Sequence, residues 1–247
     1  MGTAERLPTY SPPIPDEIRL EYEKHLSETM RWENGLLSSN TEESDLDHVR
    51  NMLLILEDIE QKFVHIPNEV NFTTVSHMIY LHDAGEILAG DLVHSHPYYS
   101  SLKPKVKKRE IAAFRLLSRS LEDETTKTVA RDLYRRVHGK SANDKEAQLT
   151  DFIDKAQAVR FGLINVFPAK KLKNSERIKI QLNHAMAILL KPAENLLQSL
   201  DSPYSKIEAV DLIREELGNF LTQGYKKHEI QPYLDLFSSP SANGASK

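Results

Sequence analysis

Tyr80-Leu81-His82-Asp83-Ala84-Gly85-Glu86-Ile87-Leu88-Ala89-Gly90-Asp91 is the stretch around which the chain is organised. It sets one imidazole and three carboxylates within ten residues of an otherwise apolar, helix-like run. Carboxylates are costly to bury without a cation or hydrogen bonds to compensate them. A segment that reserves Leu81, Ile87 and Leu88 for a core yet threads His82, Asp83, Glu86 and Asp91 among them points to a metal or a reacting group. On a continuous helix His82 and Asp83 diverge by about 100° and meet only at an ion in the groove between them. Glu86 falls on the same flank, and Gly90 offers a helix stop that leaves Asp91 at the mouth of a pocket.

Before this stretch, Gly2 to Pro15 carry four prolines and little periodicity, the mark of an extended arm. Helical spacing begins at Asp16 and runs through Leu26 to Met30, ending at Arg31-Trp32. Thr41-Glu42-Glu43-Ser44 supplies capping residues for a helix reaching about Phe63, with His48 in its first turns. His65 reads as loop, and His77 as a structural side chain. A further helix starts near Asn71 and leads into the central stretch.

Beyond Asp91, Leu92 to Ser100 reads as a loop in which His94 and His96 alternate. Lys103 to Arg109 is a basic helix start, Glu110 to Leu121 is amphipathic, and Thr125 to His138 is a helix closed by Gly139. Asn143 to Phe167 carries an apolar face in which Asp154 directly follows Ile153. Asp151, one turn earlier, reads as the more exposed of the two. Helices over about 175–200, 205–222 and 229–237 follow a lysine-rich linker, and the tail from Ser238 is rich in small residues. The reading contains no strand, no repeat and no glycine-rich phosphate loop. The predicted class is all-α.

Composition narrows the function. With 40% hydrophobic and 28% charged residues the chain is of ordinary globular type, and a net charge of −4 supplies no broad footprint for a nucleic-acid polymer. No cysteine is present, so His and carboxylates are the strong metal ligands on offer. No run reaches the ~18 apolar residues of a membrane span and no signal core opens the chain, so a cytoplasmic protein without a membrane partner is expected.

His48, His82-Asp83 and Asp154 lie on three separate predicted helices, in the order His, His-Asp, Asp. Two imidazoles and two carboxylates suit a first-row divalent ion with open positions. The pattern resembles the HD-domain metal-dependent phosphohydrolases, an all-helical family named for its His-Asp pair. Arg31-Trp32, His48, His82-Asp83-Ala84-Gly85-Glu86, Gly90-Asp91 and Glu146-Ala147 leading to Asp154 are together similar to its 5′-deoxynucleotidase branch. That resemblance spans roughly Ser27 to Phe167.

It implies an HD-domain helical bundle over 27–167, preceded by an arm and helix start over 1–26. A C-terminal helical extension over 168–237 and a disordered tail over 238–247 complete the chain. It also implies that His48, His82, Asp83 and Asp154 bind a divalent ion (Mn²⁺, Co²⁺, Mg²⁺, Fe²⁺ or Zn²⁺). Glu86 would handle the proton of the attacking water or of the leaving oxygen. Arg31 would hold phosphate, and Trp32 and Asp91 would contact deoxyribose, with Asp91 also counted with Glu86 as catalytic. The expected activity is hydrolysis of the 5′-phosphate of (deoxy)ribonucleoside monophosphates, in a homodimer.

The sequence departs from the branch at Val49, where Ser is usual, in the His94-x-His96-Pro97 loop, and in its length beyond Pro168. Two alternatives remain at this level. One is a nucleoside triphosphate or pyrophosphate hydrolase on the same site, although Ile87 after Glu86 departs from the His-Asp-x-x-Glu-Asp of alarmone hydrolases. The other is a non-catalytic nucleotide-sensing or scaffold protein. A two-iron oxygenase of the same superfamily would need further His ligands, for which His94 and His96 are the candidates.

Overall fold

The structure, a computed structural model, describes residues 8–10, 13–31, 43–89, 98–139, 141–166 and 174–237. Among these the chain is all-α apart from one ladder of two-residue strands, β1 (Met30–Arg31) and β2 (Glu43–Ser44). The ladder corrects the strand-free reading. It is antiparallel, pairs Met30 with Ser44 and Arg31 with Glu43, and is too short to leave an alternating pattern in the sequence.

The chain divides into two compact units, residues 1–57 with 72–141, and residues 58–71 with 142–247. The first unit opens with α1 (Asp16–Glu28), whose Leu26 is fully buried while Leu20 stays exposed. The start of α2 (Asp45–Lys62) is fixed by a reciprocal cap. The Asp47 backbone N–H donates to Ser44 Oγ at 3.1 Å, while Ser44 Oγ–H donates to Asp47 Oδ2 at 2.7 Å. The Asp45 N–H donates to the Thr29 carbonyl at 2.9 Å and so ties this helix start to the end of α1. Val49, Met52, Leu53 and Leu56 follow at helical spacing and are fully buried.

The last turn of α2 belongs to the second unit, with α3 (His65–Glu69). His65 thus begins a helix where loop was expected. The first unit resumes with α4 (Phe72–Leu81), α5 (Glu86–Ala89), α6 (Tyr99–Leu117) and α7 (Glu124–Gly139), with α4 against α7 and α5 against α6. α6 begins at Tyr99, inside the stretch read as loop. Leu88, expected in the core, is exposed, and the turn over 82–85 separates its helix α5 from α4, so the periodicity of one does not continue into the other.

In the second unit α8 (Lys145–Phe161) starts at Asp144, whose Oδ1 accepts the Ala147 N–H at 3.1 Å. It continues into a π-helical turn, Gly162–Val166. α8 lies along α9 (Ser175–Ser199), and α10 (Pro203–Thr222) touches α3, α9 and α11 (Lys227–Leu236). An ion pair between a half-buried guanidinium and a buried carboxylate holds α8 to α10: Arg160 Nε donates to Glu216 Oε2 at 2.8 Å while a second guanidinium nitrogen reaches Oε1. No helix among the described residues is long and apolar enough to cross a membrane.

Candidate metal centre

The central stretch is not one helix. α4 stops at Leu81, and His82 to Gly85 form a turn in which the Ala84 N–H donates to the Leu81 carbonyl at 3.1 Å and the Glu86 N–H to the Asp83 carbonyl at 2.8 Å. The angular divergence expected on a helix therefore does not apply. The turn lets adjacent side chains converge, and His82 Nε2 stands 2.9 Å from Asp83 Oδ2.

His82 also closes α4. Its Nδ1 lies 2.7 Å from the Ile79 carbonyl oxygen, which can only accept, so Nδ1 carries the proton. In the neutral ring Nε2 then presents its lone pair to a carboxylate oxygen. Two acceptors at this distance repel each other unless a proton or cation lies between them. His48, fully buried on α2, brings its Nε2 to 3.9 Å from the same Asp83 oxygen, and the two imidazole rings stand 5.3 Å apart at 45°. Ligand atoms ~2.1 Å from one ion lie about 3 Å apart at a right angle and ~4.2 Å apart across it. Both observed separations fall within that range, and the donor set suits a first-row divalent ion.

A second group of carboxylates adjoins the first. Asp45, Asp83 and Glu86 each place an oxygen within 4.8 Å of the other two. Asp45 is fully buried and Asp83 nearly so, while Glu86 is half-buried at the start of α5. Two tyrosines border them. Tyr22 on α1 donates its hydroxyl to the Tyr80 carbonyl, and burial together with the nearby Asp83 and Asp45 carboxylates holds its pKa well above the ordinary value. Tyr134 on α7 stacks on Phe114 with ring centroids 3.8 Å apart and meets His138 edge-on at 4.2 Å. Burial, then the carboxylates of Glu110, Asp83 and Glu86, keep the Tyr134 hydroxyl protonated at any physiological pH. His138, held by Lys107 at Nδ1, is pushed down to about 3 by burial and by that ammonium, and is neutral.

Gly85 is demanded by space. A Cβ there would lie 2.5 Å from the Glu110 carbonyl oxygen and closer still to the Tyr134 hydroxyl. The His-Asp turn is thus clasped between α6 and α7.

The sequence-level candidates distribute as follows. His48, His82 and Asp83 come together in the first unit, with Glu86 beside Asp83. Asp154 belongs to the second unit, on α8, where Lys155 Nζ lies 2.6 Å from its Oδ2. Asp151 is buried and Asp154 only partly so, the reverse of the order expected from sequence. Arg31 is described through its backbone alone, on β1 opposite Glu43. Trp32, Gly90, Asp91, His94 and His96 lie outside the described residues, as do 168–173 and the tail from 238. His77 is half-buried, and burial lowers its pKa, in keeping with a structural role. Val49, the departure beside His48, is a fully buried core residue.

Sequence reasoning missed Asp45, Tyr22 and Tyr134. For Asp45 a signal existed: it precedes His48 by three residues, so any helix starting at Ser44 sets both on one face.

A family model described as HD domain matches residues 24–197, well over half of the chain and all of the residues just described at the centre except Tyr22. No curated protein and no solved structure matches.

Proposed function

The chain belongs to the HD-domain family, whose members are generally metal-dependent hydrolases, and from that premise we propose that it hydrolyses the 5′-phosphate of (deoxy)ribonucleoside monophosphates. The observation that most supports a metal centre is the hydrogen bond from His82 Nδ1 to the Ile79 carbonyl. It fixes the tautomer of the neutral ring, in which Nε2 offers its lone pair 2.9 Å from Asp83 Oδ2, a pair of donors suited to a cation. His48, His82 and Asp83 would hold the ion, with Asp154 as the fourth ligand on the strength of the sequence pattern. When bound, a divalent ion lowers the pKa of water and offsets phosphate charge.

The chain's own residues supply the rest. Glu86 takes the proton of the attacking water or delivers one to the leaving ribose oxygen as the P–O5′ bond breaks, releasing nucleoside and orthophosphate. The β1–β2 ladder sets the Arg31 backbone opposite Glu43, directly before the helix that carries Asp45 and His48. That placement supports Arg31 as a bidentate clamp on the phosphate. Trp32 and Asp91 are assigned to the sugar, with Asp91 also a candidate catalytic group.

Purified protein with Mn²⁺ or Co²⁺ is expected to release orthophosphate from nucleoside monophosphates. Pyrophosphate or tripolyphosphate as product would support the triphosphohydrolase reading instead, and no turnover across mono-, di- and triphosphates would refute the assignment. Glu86→Ala should keep the ion at the His-containing group while losing ~10²-fold or more in turnover. Retained turnover would remove Glu86 from the mechanism.

A further inference from the structure

We propose that Tyr22 is a positioning residue for the centre: through its hydrogen bond to the Tyr80 carbonyl, α1 fixes the place from which the His-Asp turn departs and, with it, the spacing of His82 from His48. The proposal rests on the metal-dependent reading above. It adds a residue that the His-Asp pattern does not include and that lies two positions before the stretch matched by the family.

A helix end leaves its last four carbonyls without intrahelical partners. Were α4 to continue, the Ala84 N–H would reach the Tyr80 carbonyl. It donates instead to Leu81 at 3.1 Å, and at Tyr80 the donor is the Tyr22 hydroxyl. One residue earlier, the Ile79 carbonyl meets His82 Nδ1 at 2.7 Å. Two successive carbonyls at the end of α4 are thus engaged by side chains, one from α1 and one from the candidate ligand itself. A carbonyl held by a fixed donor sets the direction of its whole peptide plane, and His82 follows within two residues. Burial, and then the Asp83 and Asp45 carboxylates, keep the Tyr22 phenol protonated, so it serves as the donor.

The helix that carries the other imidazole is tied to α1 as well. Thr29, the C-cap of α1, accepts the Asp45 N–H at 2.9 Å, three residues before His48. Leu26, between the two ties, is fully buried. Within the first unit α1 therefore acts as a splint from the end of α4 to the start of α2. His82 Nε2 and His48 Nε2 stand 2.9 and 3.9 Å from one Asp83 oxygen. Metal–ligand distances hold to about ±0.2 Å, so a small displacement of the turn is felt at the ion.

The test uses the chelator-stripped full chain and metal alone, without substrate. Tyr22→Phe removes the hydroxyl and keeps the ring. By equilibrium dialysis it should bind Mn²⁺ about 10–100-fold more weakly than the parent, the usual loss when a group that orients metal ligands is removed. The visible absorption spectrum of its Co²⁺ form should shift with the ligand geometry, while the circular dichroism spectrum stays that of the parent. Placing p-aminophenylalanine at position 22 restores a donor and should return both affinity and spectrum. An unchanged affinity, a superimposable Co²⁺ spectrum, or failure of the amine to restore them overturns the proposal and leaves the metal centre standing. So does an unfolded Tyr22→Phe, because the hydroxyl would then serve the whole unit rather than the turn. A parent that binds neither Mn²⁺ nor Co²⁺ overturns the metal reading and this proposal together.

Discussion

Replacing Gly85 by Ala tests the clasp that shapes the His-Asp turn. The added Cβ would stand 2.5 Å from the Glu110 carbonyl oxygen and 2.9 Å from its carbon, with the Tyr134 hydroxyl nearer than either. Carbon and oxygen settle at roughly 3.3–3.6 Å, so the overlap is close to 1 Å. Two of the three obstructing atoms are α6 backbone, which cannot swing aside as a side chain end does. Overpacking costs ~1–3 kcal/mol, and this case belongs at the top of that range. For a chain of this size each kcal/mol moves the melting temperature by about 2–4 °C, which gives a fall of ~6–12 °C.

A circular dichroism melt of metal-free protein measures it. Gly218→Ala in α10 is the control of opposite sign. No atom lies within 4 Å of its Cβ position outside its own helix, so the gain in helix propensity should stabilise by ~0.5–1 kcal/mol. Adding Tyr134→Phe to Gly85→Ala removes the hydroxyl but leaves the Glu110 backbone, so only part of the loss should return. A Gly85→Ala melting temperature within a degree of the parent would refute the steric reasoning.

Two further outcomes concern the second unit. Removing the guanidinium with Arg160→Met strands the buried Glu216 carboxylate. Because Arg160 is partly open to solvent, the cost should be roughly 2–3 kcal/mol, below the ~3–5 of a fully enclosed pair, and a double variant that also carries Glu216→Met should recover much of it by denaturant titration. For Glu69, burial opposes ionisation. The Asp201 backbone N–H, Lys145, Ser205 and the Ser202 backbone outweigh it and hold the carboxyl at about 2. A depressed carboxylate pKa stabilises fully above its ordinary value near 4.5 and loses that contribution as pH falls toward 2. Glu69→Gln should therefore lower stability at pH 6 and flatten its decline between pH 4.5 and 2; equal slopes in parent and variant would contradict this.

What the sequence determined by itself were the features written in local chemistry. Apolar spacing of three and four residues marked most of the helices, as with Val49, Met52, Leu53 and Leu56 on α2, because a face that must leave water leaves a periodic trace. The His82-Asp83 pair and its neighbouring carboxylates stood out because such residue types are expensive to bury without a purpose, whereas His48 joined them only through the order of the pattern. The tertiary structure alone decided what depends on groups distant in sequence. α3 begins at His65 because the Glu208 carboxylate, far along the chain, accepts the N–H groups of Val64, His65 and Ile66 at 3.0, 2.8 and 2.8 Å. No local cap announces it. The necessity of Gly85 and the arrival of Tyr134 arise from α6 and α7 closing on the turn. Such packing is a property of surfaces brought together, and short-range patterns along the chain carry no record of it.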